Sequence, residues 1–298
     1  MFEFFANVFG YLLDLLYNLV NNYGLAIILF TIIIKLLLLP LSIKQQRTLK
    51  KSAKIQEKMK TIQFKYKNDP EKMNQEVMNL YKNEKMSPFS GCLTSIIQLL
   101  LLLSIFYLVR SPLTYMEKMS SEDINKYVTQ LQNEGKSTSN VYPEIDLIRE
   151  YEWLKEQNKD DENVDRINIK MDFLGLDLSK VPQQNMTDYT VYIIPILYIL
   201  SSFISIRLTT AMQQKQMNKS KENVIDGKTG KELAEKEDSN EMDAVMQTNK
   251  MMSWMMPIMS ISIAFVAPLG LALYWLVSNI LMIVERIILD KAIKTEEE

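Results

Sequence analysis

One lysine inside an apolar run constrains this chain more than any other feature. Residues 22–43 carry no charge except Lys35, which sits in the stretch TIIIKLLLLP at residues 31–40. About 20 apolar residues cross the hydrocarbon core of a bilayer, so the run reads as a transmembrane helix. A cation near the centre of such a helix costs roughly 2.5–3.5 kcal/mol on insertion scales, and an intramembrane ionisable group is therefore a functional-site hypothesis. Two readings stand open, a snorkelling side chain and a polar cavity around the ammonium. Lys35 lies about 12 Å from the C-terminal end of the run at 1.5 Å per residue. A lysine stem covers only part of that distance, which favours the cavity.

The rest of the chain alternates in the same way. A net charge of −2 and a mean hydropathy of −0.07 would suit a water-soluble protein if the apolar residues of the 298 were evenly spread. They are gathered instead into long uncharged blocks separated by charged ones. The absence of histidine and the single cysteine, Cys92, remove histidine-based acid–base catalysis, histidine-ligated metals and intramolecular disulfides. No metal or other cofactor is expected.

Residues 1–21 place Phe2, Phe5, Phe9, Leu12, Leu16 and Leu19 at helical steps, with Glu3, Asn7, Asp14 and Asn18 between them. Without a basic leading region this is not expected to be a signal peptide. It is an amphipathic helix, either lying in the membrane interface or packed on the bundle; the lysine-rich polar face of a typical interfacial helix is missing. After the first span (22–43), residues 44–88 are the most basic block, including Lys50, Lys51 and Lys54. Two helical faces around Asn68-Asp69-Pro70 predict an αα-hairpin, with Asp69 as N-cap and Pro70 at the first helical position. The positive-inside rule puts this hairpin in the cytoplasm. Its basic face suits anionic lipid or ribosomal RNA, or simply a solvated surface that sets topology.

Further spans are expected at 89–109, 189–209, 251–267 and 269–289. Between them lie an acidic extracytoplasmic loop (110–188), a cytoplasmic loop (210–250) and a cytoplasmic tail (290–298). The acidic loop is either a small folded cap, with a helical stretch from residue 144 to 157, or a mobile segment. Gly227-Lys228-Thr229 lacks the upstream glycine and the preceding strand of a phosphate-binding loop, so no nucleotide is expected. Five spans with the basic hairpin inside give an outer N-terminus and an inner C-terminus.

Helical phase adds polar groups to Lys35. Thr31 lies one turn before it, Gln98 shares a face with Thr94 and Ser95, Ser201 and Ser205 are one turn apart, and Trp275 and Asn279 share a face with Ser278. Serine in a membrane helix often bonds only its own backbone. The methionines Met251, Met252, Met255, Met256 and Met259 open the fourth span with adaptable apolar side chains.

The order of these segments resembles the YidC-type membrane protein insertase family of the Oxa/Alb/YidC superfamily, in a form similar to Gram-positive bacterial members. The resemblance rests on the charged first span, the basic hairpin, Ser90-Gly91-Cys92-Leu93, Gly175-Leu176-Asp177-Leu178, Met255-Met256-Pro257, and Pro268-Leu269-Gly270-Leu271 through Tyr274-Trp275 to Asn279. It implies an all-α polytopic membrane protein with five transmembrane helices around a polar groove, a cytoplasmic αα-hairpin and an N-terminal amphipathic helix. It implies no enzyme activity. The expected function is a chaperone-like insertase of the bacterial plasma membrane, moving polar flanks of nascent membrane proteins across the bilayer and releasing their apolar segments into lipid. The ribosome and a Sec-type translocon are candidate partners. Where the family carries a groove arginine this chain has Lys35, which keeps the charge and loses the bidentate fork. Thr94 and Leu100 stand where relatives commonly carry proline.

A small-solute transporter or channel is the alternative from another class. It predicts acids well inside a span and a repeated half-structure, neither of which the sequence displays. A purely structural scaffold would leave Lys35 unexplained.

Overall fold

The uncharged run continues directly into the basic block as one helix. In the computed structural model, which describes residues 2–84, 90–136, 138–224 and 262–295, α1 (Phe2–Val20) is followed by α2 (Tyr23–Lys65), 43 residues long with Pro40 inside it. Nothing interrupts α2 at the expected boundary between span and hairpin, because its residues from 41 to 60 include no glycine or second proline. The return helix of the hairpin is α3 (Pro70–Asn83), where Asp69 Oδ1 accepts the Lys72 amide at 3.0 Å and Pro70 occupies the first turn.

Three described helices are long and apolar enough to cross a membrane: Tyr23–Thr48, Tyr189–Met212 and Leu269–Ala292. The helix α4 (Ser90–Arg110) contributes a shorter apolar stretch, Leu99–Arg110. The expected fourth span, 251–267, lies outside the described residues up to 261, including its five methionines; residues 262–266 are helical. The expected cytoplasmic loop lies outside them from residue 225 onward, as do the end of the tail and the junction at 85–89.

Contacts divide the chain into two compact units, residues 1–37, 98–202 and 258–282 in the first and 38–97, 203–257 and 283–298 in the second. In the first unit the acidic segment is a folded cap. Short helices α5 (Pro112–Tyr115), α6 (Ser121–Asn133), α7 (Pro143–Arg149) and α8 (Tyr151–Gln157) enclose Leu113, Tyr127, Leu131, Leu147, Leu154 and Ile167. The helical stretch expected at 144–157 is thus two helices, broken at Glu150. A two-stranded antiparallel hairpin, β1 (Asp172–Phe173) with β2 (Leu176–Asp177), follows in the register Asp172↔Asp177 and Phe173↔Leu176, so the chain is not purely helical. The last two long helices are α9 (Ile193–Val224) and α10 (Leu269–Thr295).

The cap is fastened to the helix ends by backbone bonds. The amide of Tyr23 bonds Lys170 O at 3.0 Å, that of Leu269 bonds Lys180 O at 2.9 Å, and that of Gly270 bonds Leu178 O at 2.9 Å. These are orphan donors of helix starts, and the cap supplies their acceptors.

The buried stripe of α1 is not the expected one. Ala6, Gly10, Leu13, Leu16 and Tyr17 face inward, and of the predicted apolar face only Leu16 is fully buried; Phe4, Val8, Tyr11, Leu15 and Leu19 are exposed. Close approach decides this, since a Cβ on Gly10 would stand 1.9 Å from the Tyr115 carbonyl oxygen. Periodicity records which residues are apolar, whereas the packed face here is the one whose Ala6 and Gly10 let the backbones approach closely. Phe9 meets the edge of Phe30 on α2 at 5.8 Å between ring centroids. The helix thus packs on the protein through one face and leaves a second apolar face, Phe4, Val8, Tyr11, Leu15 and Leu19, outward.

Candidate functional site

Thr31 and Lys35 occupy successive turns of α2. Thr31 is buried and gives its hydroxyl to Ile27 O of its own helix at 2.6 Å. Lys35 is half-buried, beside exposed Leu36 and Leu37. Gln98 lies on α4, with its side chain outside the described residues.

The closest union of sequence-selected residues joins α9 and α10. Asn279 Nδ2 donates to Ser201 Oγ at 2.9 Å and to Ser202 Oγ at 3.2 Å, all three buried. Ser201 in turn gives its hydroxyl to Tyr198 O at 2.8 Å. The Trp275 ring lies against Tyr198 at 6.1 Å, so Trp275, Tyr198, Ser201 and Asn279 form one cluster. Ser202 escapes a reading by helical phase because it neighbours Ser201 on a different side of the helix; the amide of Asn279, with two donors, reaches both.

Ser205 belongs to the second unit, where it is buried and its carbonyl accepts the Thr209 hydroxyl at 2.7 Å. Thr209 also accepts from Arg286 on α10. Arg286 and Glu285 fall toward the C-terminal end of the apolar helix Leu269–Ala292, and helical phase alone did not single out this link to Thr209. A charge pair at helix position 285–286 followed by more apolar residues was the available signal. In the same unit Lys58 pairs with Glu84 across the hairpin, and the ammonium groups of Lys65 and Lys72 stand 5.2 and 5.5 Å from the Tyr66 ring.

The cap has its own buried charges. Glu144 accepts the Thr114 amide at 3.0 Å and its hydroxyl at 2.7 Å. Burial pushes its carboxyl above the usual range, and the Thr114 bonds hold that rise back. Asp146 is likewise raised by burial and restrained by the Ser139 amide and by Arg149 at 2.6 Å. At the edge, Lys180 lies 2.8 Å from Asp188 and, with the Thr190 hydroxyl and amide, holds that carboxyl down at about 2. Among the described residues no three histidine, cysteine or carboxylate side chains converge in a way that could hold a metal ion.

Residues 15–297 match the family model described as 60Kd inner membrane protein. A Treponema denticola protein named membrane protein insertase YidC is similar over 287 residues at 25% identity, covering 96% of this chain and 37% of the relative. Proteins of the same name from Caldanaerobacter subterraneus (42% identity over 106 residues, 36% of this chain and 52% of the relative) and Syntrophobacter fumaroxidans (48% over 98 residues, 33% and 18%) match shorter stretches. The chain thus spans at most about half the length of these relatives, at 52%, 37% and 18%.

Proposed function

This chain belongs to the 60Kd inner membrane protein family, and from that premise we propose that it is a membrane protein insertase acting on nascent membrane proteins. The name carried by the relatives, membrane protein insertase, supports this reading over a solute transporter. The proposed architecture has five spans, the fourth at 251–267, around a polar groove that opens toward the cytoplasm and lipid. The N-terminus is outside and the C-terminus inside.

The observation that carries the mechanism is Lys35, half-buried within the apolar helix Tyr23–Thr48. A positive charge at that depth attracts opposite charge, and an acidic or polar flank of an entering chain is a suitable transient partner. A hydrated groove shortens the apolar distance such a flank must cross. The adjoining hydrophobic segment then moves sideways into lipid, driven by about 0.8 kcal/mol per buried methylene, so no nucleotide is required. Thr31, Gln98, Ser201, Ser205, Trp275 and Asn279 are the proposed lining of the groove. The basic hairpin receives the chain or docks the ribosome, and a Sec-type translocon is a candidate second partner.

The test uses proteoliposomes and substrates that differ only in the charge of the translocated flank. Lys35→Ala should impair insertion of acidic-flank substrates, and Lys35→Arg should preserve it. Equal activity of all three proteins would sink the role of the groove charge.

A further inference from the structure

The tip of the β1–β2 hairpin exposes Leu174 more than any other large apolar residue described, at 88%. Its conformation makes that exposure informative. Leu174 has φ +52° and Gly175 φ +78°, a two-residue connection in which both central residues are left-handed. Such turns favour Asn-Gly or Asp-Gly, because a Cβ is strained there and a short polar side chain can bond locally. Leucine at the first position has neither advantage, and within the protein it gains no burial.

The hairpin beneath the tip is firmly held. Asn22 Nδ2 donates to Asp172 O at 2.6 Å, and Phe173 packs so tightly on Gly24 that a Cβ there would meet its ring at 2.5 Å. The Leu178 amide bonds Met171 O at 2.9 Å, and Leu178 O accepts from Gly270. These bonds fix the hairpin at the first residues of two apolar helices, α2 and α10. Strand β2 also packs on the Tyr189–Tyr192 turn that opens the third. The tip therefore sits at the level where three apolar helices begin.

Beside it the apolar surface continues. Met186 is exposed and Tyr189 is 85% exposed, and the pattern runs on through Ile193, Ile196, Leu197 and Leu200 down one face of α9. The nearby acid Asp188 is paired with Lys180, and Asp177 accepts the amide and hydroxyl of Ser179. Within residues 172–200 the one lysine is Lys180, already paired with Asp188. We propose that Leu174, with Met186 and Tyr189, inserts into the headgroup–acyl boundary of the leaflet where these helices begin, docking the 110–188 cap onto the bilayer through apolar contact. The proposal rests on the helices being membrane spans, as the family reading has them, and it is independent of Lys35.

The test places a cysteine at the tip, Leu174→Cys in a Cys92→Ser background, carries an environment-sensitive fluorophore there, and compares it with Asp160→Cys on the exposed side of the cap. The full chain is reconstituted in phosphatidylcholine vesicles with doxyl-labelled lipid. Expected is a blue-shifted emission at 174, quenched severalfold more by shallow doxyl lipid than at 160, with the reverse order for aqueous iodide. Equal iodide quenching at both positions would overturn the proposal, and so would a lipid signal that appears only with anionic lipid. Leu174→Asn, which suits the turn better, should leave the cap folded in detergent yet raise its protease sensitivity in vesicles; unchanged protection would count against docking. An insertion assay on the same vesicles separates this result from the insertase reading, which can fail while the tip remains in lipid.

Discussion

In the cap, Glu144 takes the amide and hydroxyl of Thr114 from thirty residues away, and Lys126, Lys136, Arg149 and Lys180 each pair with a carboxylate. In the long apolar helices, Thr31, Ser104, Ser201 and Thr209 give their hydroxyls to carbonyls three or four residues back on the same helix. The cap uses polar side chains to join distant parts of the sequence. The spans mostly use them to satisfy themselves, since an unpaired hydroxyl in hydrocarbon is costly and the nearest acceptor is the helix's own backbone. A polar residue at the right helical phase is therefore weak support for a cavity, and Asn279, whose amide bonds the serines of a neighbouring helix, is a stronger one.

The largest effect that would sharpen this contrast concerns packing. Gly10→Ala should destabilise the cap-side unit by about 3 kcal/mol despite a better helix propensity, because the backbone of Tyr115 cannot yield as a flexible side chain would. Thermal unfolding in detergent reads this, and an unchanged midpoint would refute the close contact of α1 with α5.

Next come two polar deletions that should differ. Glu144→Ala leaves the Thr114 amide and hydroxyl without their acceptor and should cost about 1–3 kcal/mol. Asn279→Leu, within the membrane, should cost only about 0.6 kcal/mol. If Asn279→Leu proved the more damaging, the distinction between the two regions would fail.

A smaller effect follows pH. The raised carboxyls of Glu144 and Asp146 bind protons more tightly when folded, so their contribution is complete below the ordinary values of 4.5 and 3.8 and is lost as pH rises through the raised values. The depressed carboxyl of Asp188 acts oppositely, its contribution being lost as pH falls from 3.8 toward about 2. The midpoint of cap unfolding should rise on mild acidification and fall on strong acidification, and Asp188→Asn should remove part of the second limb. The smallest expected effect is that of Thr31→Val, which should leave stability unchanged because the lost bond is internal to α2.

Much of the architecture was legible along the chain. The uncharged run around Lys35, the Asp69-Pro70 helix start and the apolar helices at Tyr189–Met212 and Leu269–Ala292 all follow from local composition and capping chemistry. Arg286 was harder to weigh, since a charge near the end of an apolar helix is ambiguous until its partner Thr209 is known. Ser202 was invisible because helical phase ranks faces and does not say which neighbouring helix presents an amide.

By itself the sequence determined where the chain is apolar enough to cross a membrane, which segment is basic, and that Lys35 lies inside such a run, because hydropathy and charge are summed over neighbours in the chain. Only the tertiary structure decided that the acidic segment folds, that α1 packs through the Ala6, Gly10, Leu13 and Tyr17 face rather than the Phe2, Phe5 and Phe9 face, and that the Leu174 tip stands exposed on a fixed hairpin. Each of these depends on how closely two distant backbones approach, a quantity set by contacts such as Gly10 with Tyr115 and Gly24 with Phe173 rather than by any local pattern.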